Sequence, residues 1–159
     1  MKIIGLGFGW EELCIGDKFR TVGRTISETD LVNFIGLSGM DEVIFNDDCF
    51  RAKHSVIKEK FVPGALAYVI GEGLLIPAMQ GTGLAFLNME LTVRQPIKVG
   101  DTIHVEVEVL EVRKTSKSDR GMVRTKNDIK NQDGATVITY TPLRMMKSVA
   151  ARDALHKDY

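Results

Sequence analysis

The sequence predicts a single α+β domain in which an antiparallel sheet wraps a central buried helix. Three observations carry that expectation. Apolar residues recur with a helical period in "TISETDLVNFIGLSG" and again in "GALAYVIGEGLLI". From Leu84 onward the period drops to two, in "FLNMELTVR", "TIHVEVEV", "GMVRTKNDIK" and "ATVITYTPLRMM". The second helix is apolar on nearly all sides, and a sheet with one apolar face buries such a helix most economically by wrapping it.

The 159 residues suffice for one full core, so residues 1–159 are expected to form one domain, with an N-terminal arm over 1–12 and a C-terminal tail over 147–159. Hydrophobic residues make up 44% and charged residues 26%, a globular composition. Twenty-one basic and twenty-one acidic residues cancel, which disfavours a nucleic-acid binder. No apolar run reaches the ~18 residues of a membrane helix. The start, "MKIIGLGFGWEEL", lacks the charged region and long apolar core of a signal peptide. A soluble, cytoplasmic protein is therefore expected, with Cys14 and Cys49 as reduced thiols, since they form no metal-type pair.

The elements follow in order. "KIIGLGFGW" imitates a dinucleotide fingerprint, but Gly5, Gly7 and Gly9 are too closely spaced and no helix follows at once, so it reads as an arm lying on the domain. The first helix has Ser27 as N-cap and Asp30 three residues on, as in a capping box. Glu28 and Asp30 favour its positive end. Leu31, Phe34, Ile35 and Ser38 share one face, and Gly39 supplies a left-handed stop. The second helix runs from about Gly64 to Ile76, entered at Pro63 and ended by Pro77. Gly71 and Gly73 there suggest close approach of another backbone, and Glu72 is its lone charge. Leu87, Met89, Leu91 and Val93 then alternate with polar residues, as do Ile103, Val105, Val107 and Val109, with a turn at Val99-Gly100-Asp101 between the two strands. The alternation slips at Val109-Leu110, which predicts a bulge. Asp133-Gly134 predicts a hairpin between the last two strands, and Pro142 confines the final strand to an edge or a bulge.

This layout is that of the hot-dog fold. "WEELCIGDKFRTVGRTISETDLVNFIGLSG", "KFVPGALAYVIGEGLL" and "LNMELTVRQPIKVGDTIHVEVEV" resemble, in order, the opening, central helix and first long hairpin of MaoC-like dehydratases, the (R)-specific enoyl-CoA hydratase group of that superfamily. The resemblance covers nearly the whole chain. It implies homodimers or higher oligomers, acyl-CoA or acyl-carrier thioesters bound near the dimer interface, no cofactor, no metal, and a place in fatty-acid metabolism. It also implies a catalytic segment just after the first helix, with an aspartate following the "LSG" turn and a histidine five residues later, which together activate the water that adds across a 2-enoyl thioester. In "LSGMDEVIFNDDCF" those positions are Met40 and Phe45, neither of which relays a proton. Asp47 and Phe50 fall where the family has an acid and an aromatic, which anchors the register. A one-residue shift aligns Asp41 and Asn46 with the pair but breaks both anchors. Gly64, with Ala65 after it, matches the start of the central helix, where a backbone N–H meets the thioester carbonyl; Pro63 stands where many active members have histidine. The expected substrate-binding residues are thus Gly64, Ala65, Met40 and Phe45.

Other residues compete for a chemical role. Asp41, Glu42, Asp47 and Asp48 suit a hard cation by type, but no Ca²⁺-loop spacing is present, and a solvated acidic loop over 41–48 is the plainer reading. Asp41 or Glu42 as a displaced catalytic acid is the alternative. Glu72, eight residues after Gly64, matches the central-helix carboxylate of one branch of hot-dog thioesterases. There it would act as base or nucleophile, against a structural role paired with a basic residue. His54 lies in a segment that overlies the acyl tunnel in this fold and is a weak candidate base. His104 alternates outward beside Glu106, and His156 sits in the charged tail. Lys53, Lys58 and Lys60 are candidates for CoA phosphates, with solvation as the plainer reading.

Three readings of function stand at this point. The first is a thioester-binding protein of hydratase or dehydratase type without the usual catalytic pair, a lyase if it is active. The second is an acyl-CoA thioesterase using Glu72. The third is a non-catalytic partner subunit of an active hydratase carrying the pair.

Overall fold

A computed structural model of the chain describes residues 3–157, the His156 side chain apart. Helix α1 (Glu28–Ser38) starts and stops where its sequence signals lie. Ser27 and Asp30 close the reciprocal capping box, and Gly39 adopts φ +70°. Leu31 and Ile35 point into the core.

The acid-rich stretch is helical rather than an open loop. It forms α2 (Val43–Asn46) and α3 (Asp48–His54). Asp47 caps α3 by accepting from the Phe50 N–H at 2.8 Å, so acids read as loop residues serve as helix-start residues instead. Strand β3 (Phe61–Val62) then leads into the long helix α4 (Gly64–Met79).

Helix α4 departs from expectation twice. It continues through Pro77 to Met79. A proline there deprives only the Gly73 carbonyl of its intrahelical donor, and Gly73 is exposed, so water can serve it. Nor is α4 buried all round. Leu66, Ala67, Ile70, Gly71 and Leu75 are buried, but Val69 and Ile76 are 52% and 47% exposed. At Gly71 a Cβ would lie 2.7 Å from Ile129 Cδ1, so this glycine lets the helix press onto the sheet.

The sheet has eight strands. Strand β7 (Thr102–Lys114) pairs with β1 (Lys18–Arg20), β2 (Arg24–Thr25) and β8 (Arg120–Lys130). The first half of β8 pairs with β10 (Leu143–Lys147) and the second half with β9 (Thr136–Tyr140). These in turn pair with β4 (Gly83–Asn88) and β5 (Leu91–Val93). All of these pairings are antiparallel. The predicted bulge falls between Val109 and Glu111, and Gly134 turns the β8–β9 hairpin with φ +78°. Pro142 sits at the break between β9 and β10, in the sheet's interior.

Two strand expectations fail. The segment resembling a first long hairpin is no hairpin, because β9 and β8 lie between β5 and β7. The short β6 (Ile97–Lys98) pairs with β3 in a separate ribbon and turns the chain away first. Of the two alternating strands expected to bury one face, that of Ile103, Val105 and Val109 does so, but the earlier one stands bare: every residue of β4 and β5 is exposed. They form one free edge of the sheet, and among the described residues no further strand pairs with them.

The described parts of the arm and of the tail are both docked. In the arm, the Gly7 and Phe8 N–H groups donate to the carbonyls of Gln80 and Ala78. A Cβ at Gly7 would lie 2.4 Å from the Ala78 oxygen and one at Gly9 2.6 Å from the Val149 nitrogen, so these two glycines serve close packing rather than a phosphate. The tail forms α5 (Val149–Asp153) and a final 3-10 turn (Ala154–Lys157). Arg152 there pairs with Glu12 at 2.6 Å. No helix of the described residues is long and apolar enough to cross a membrane.

Candidate functional site

The residues after α1 and those before α4 meet through two rings. Phe45 on α2 stands edge-on to Phe61 on β3, with centroids 5.3 Å apart. This contact places the acid-rich segment beside the start of α4. Phe45 packs partly against the main core, while Met40 stays 42% exposed. Asp41 accepts a hydrogen bond from the Asn46 amide, which ties the ends of the segment together.

At the start of α4, the Leu66 N–H bonds back to the Pro63 carbonyl at 3.0 Å. The N–H groups of Gly64 and Ala65 find no acceptor among the described residues. They stand at the positive end of a sixteen-residue helix, a suitable place for a developing oxyanion. Val93 Cγ2 lies 3.0 Å from where a Cβ of residue 64 would be, so glycine is the residue that fits without pushing on the Val93 side chain.

Glu72 does not stand alone in an apolar cavity. Arg144 Nη2 donates to both of its carboxylate oxygens, at 2.6 and 2.7 Å, and the Tyr140 hydroxyl donates to Oε1 at 2.6 Å. Arg144 also lies over the Phe86 ring, 5.3 Å from its centroid. Burial, and then the Glu72 charge, push the Tyr140 phenol far above its ordinary range. The same two causes raise Tyr68, whose ring meets Tyr140 edge-on at 5.2 Å. The basic partner expected for a structural Glu72 thus comes from the same chain. Neither Arg144 nor Tyr140 stood out in the sequence. The only hint was an arginine among the apolar residues of "PLRMM".

The remaining candidates are engaged elsewhere or lie apart. Asp48 pairs with Arg51 at 2.7 Å, and that guanidinium holds the carboxyl below the usual carboxylate range, with Lys60 assisting. The buried Arg51 also donates to the carbonyls of Ile44 and Lys58, tying α2 and α3 to the following loop. Glu42 precedes α2 as its N-cap without a side-chain bond. Lys60 pairs with Glu28, and Lys58 Nζ donates to the Ala52 carbonyl. Lys53 is exposed, and so is His54, whose ring packs on Phe50 at 4.7 Å. His104, expected to face outward, is buried at 8% exposure, 3.5 Å from Glu106. The position of the His156 side chain lies outside the described residues. Cys14 and Cys49 are both exposed and unpaired. Among the described residues, no group of three or more His, Cys, Asp or Glu is placed to hold a metal ion.

Comparison with known proteins identifies the family and the fold. The family model of the FAS1-like dehydratase domain region matches residues 14–140. The chain belongs to that family. Its FAS1-like dehydratase domain is 37% identical over 112 residues to protein MaoC of Klebsiella aerogenes, an alignment covering 70% of this chain and 32% of MaoC. The chain therefore spans about a third of that relative. Against an (R)-specific enoyl-CoA hydratase of Aeromonas caviae it is 27% identical over 129 residues, covering 81% of this chain and 92% of the hydratase. A Mycobacterium tuberculosis protein with a double hot-dog fold superposes with a TM-score of 0.81 at 19% identity, over 92% of this chain and 46% of that one. The FAS1-like dehydratase domain accordingly has the hot-dog fold, with α4 as its central helix.

Proposed function

We propose that this chain binds acyl thioesters of coenzyme A or of an acyl carrier, as a hydratase- or dehydratase-type domain in which Met40 and Phe45 occupy the positions of the usual acid and base. The observation that carries this reading is the start of α4, where the N–H groups of Gly64 and Ala65 are unpartnered and Val93 packs against the glycine. The Phe45–Phe61 contact brings the segment after α1 to the same place as an apolar wall. Met40 and Phe45 carry no proton for the addition of water, so the wild type is expected to hydrate crotonyl-CoA poorly. Met40→Asp combined with Phe45→His should raise that rate by about a hundredfold, the usual reach of a positioned acid–base group. Rapid hydration by the wild type, measured as loss of enoyl absorbance, would sink the reading.

A homodimer completes the proposal. The bare edge of β4 and β5 carries Leu84, Leu87 and Val93 at 42%, 46% and 52% exposure, beside the uncovered Val69 and Ile76 of α4. Apolar strands with one edge unpaired seek a second sheet edge. A second copy is the simplest occupant, and co-purification with a homologue carrying the acid–base pair would instead make this chain a partner subunit. The thioesterase reading has less support. A carboxylate gripped by Arg144 and Tyr140 is an occupied acceptor rather than a free nucleophile, so Glu72→Gln should leave any release of free thiol from acyl-CoA unchanged.

A further inference from the structure

Along β8 the core-facing residues are Ile129, Asn127, Thr125 and Val123, two apolar residues enclosing two polar ones. Ile129 belongs to the main apolar cluster, and Val123 to a smaller one with Leu13, Val109 and Met146. Asn127 and Thr125 therefore lie in a polar seam between the two cores, alongside Tyr140, Arg144 and Glu72. Asn127 is fully buried, yet among the described residues neither its amide nitrogen nor its amide oxygen has a hydrogen-bond partner of normal geometry, and the Thr125 hydroxyl lacks one too. The Asn127 amide lies close enough to the Tyr140 phenol oxygen for a weak, poorly aligned hydrogen bond that lowers the phenol's pKa, but the phenol gives its own proton to Glu72, so the amide oxygen is left without a donor. Buried polar atoms left in this way cost free energy unless something else satisfies them.

Both residues line a cavity of about 430 Å³, a size usual for small-ligand sites. The rest of its wall is mainly apolar and includes Leu74, Leu75 and Met79 of α4. On α4, Gly64, Tyr68, Glu72, Leu75 and Met79 recur at helical spacing and share one face. A chain whose carbonyl sits at Gly64 and that follows this face reaches Leu75 after about 16 Å.

We propose that the cavity receives the distal part of an acyl chain and that Asn127 and Thr125 bind a hydroxyl group on it, so that the preferred acyl groups are hydroxylated along the chain. The proposal rests on the acyl-thioester reading above. An amide offers one donor and one acceptor face, and a hydroxyl matches both. Of the two arginines on the wall, Arg20 and Arg144, the second is already engaged by Glu72, and a plain hydrocarbon would leave all three polar atoms unpaired. Sites built to bond a hydroxyl reject analogues that lack it.

Titration calorimetry of the full chain with 1-octanol and with 1-chlorooctane, a probe of similar shape without hydrogen bonding, tests the assignment. The alcohol should bind about tenfold more tightly, the worth of one satisfied buried bond. Asn127→Leu and, separately, Thr125→Val should shrink that preference without weakening chlorooctane, and hexadecanoyl-CoA, whose chain is long enough to pass Leu75, should displace the alcohol. Equal affinities, no binding of either probe, or no displacement would overturn the proposal, and the cavity would then hold only water. Butyryl-CoA is too short to reach the cavity. If it binds while the alcohol preference is absent, this inference fails alone; if it does not bind, the thioester reading fails beneath it.

Discussion

Arg144 and Glu72 meet through a single guanidinium nitrogen: Nη2 lies 2.6 Å from one carboxylate oxygen and 2.7 Å from the other. The pair joins strand β10 to helix α4 where the sheet closes around the helix. The arginine side chain is 9% exposed and that of Glu72 22%, so the pair is largely removed from water.

Removing one partner should therefore matter more than removing both. Arg144→Met leaves a largely buried carboxylate with only the Tyr140 hydroxyl, and should cost about 3 kcal/mol in urea denaturation. Adding Glu72→Leu in the same chain should recover most of that loss. A double variant no more stable than Arg144→Met would show that the arginine acts through its packing on Phe86 instead.

Alkaline stability follows from Tyr140. Its phenol is held protonated in the folded state by burial and by the Glu72 charge, whereas in the unfolded chain it titrates near ~10. The raised pKa means that the folded state keeps a proton that the unfolded state loses. This contribution is fully present below pH ~10 and is lost as pH rises beyond it, with a slope of up to about 1.4 kcal/mol per pH unit. In Tyr140→Phe the decline above pH ~10 should be shallower, as read from denaturant midpoints across the alkaline range.

Space at Gly64 is the third prediction. In Gly64→Ala the new methyl meets Val93, and the strain should cost about 1 kcal/mol and weaken acyl-CoA binding by displacing the helix start from β5. Adding Val93→Ala makes room for the methyl. The double variant should recover binding measured by calorimetry; failure to recover it would locate the defect in the backbone N–H itself.

The bare sheet edge predicts an assembly. Leu87→Glu puts a charge into the exposed face of β4 and touches nothing in the core. Sedimentation should show the wild type as a dimer or larger and the variant as a monomer with an unchanged far-ultraviolet spectrum. A wild-type monomer would rule out the homodimer proposal.

How much of this was legible in the chain depended on distance along it. The limits of α1 follow from Ser27, Asp30 and Gly39 acting within a turn of one another, and the β8–β9 hairpin follows from Asp133-Gly134. The inward parity of Ile103, Val105 and Val109, and the slip after Val109, were likewise visible, because strand alternation is a nearest-neighbour property. Met40, Phe45 and Gly64 were marked by the resemblance of their segments to the family's, not by strand or helix pattern, and their part in binding is the proposal that the hydration and binding experiments test.

What Glu72 touches was decided only in three dimensions. Its partners Tyr140 and Arg144 lie 68 and 72 residues further on, and no local pattern distinguishes them from other strand residues. The same holds for the unsatisfied Asn127 and for the bare β4–β5 edge. Helix caps, turns and strand parity are settled by forces acting over a few residues, so the sequence alone determined them. Pairing partners, cavities and uncovered edges depend on which distant strands come into register, and only the closed sheet decides that.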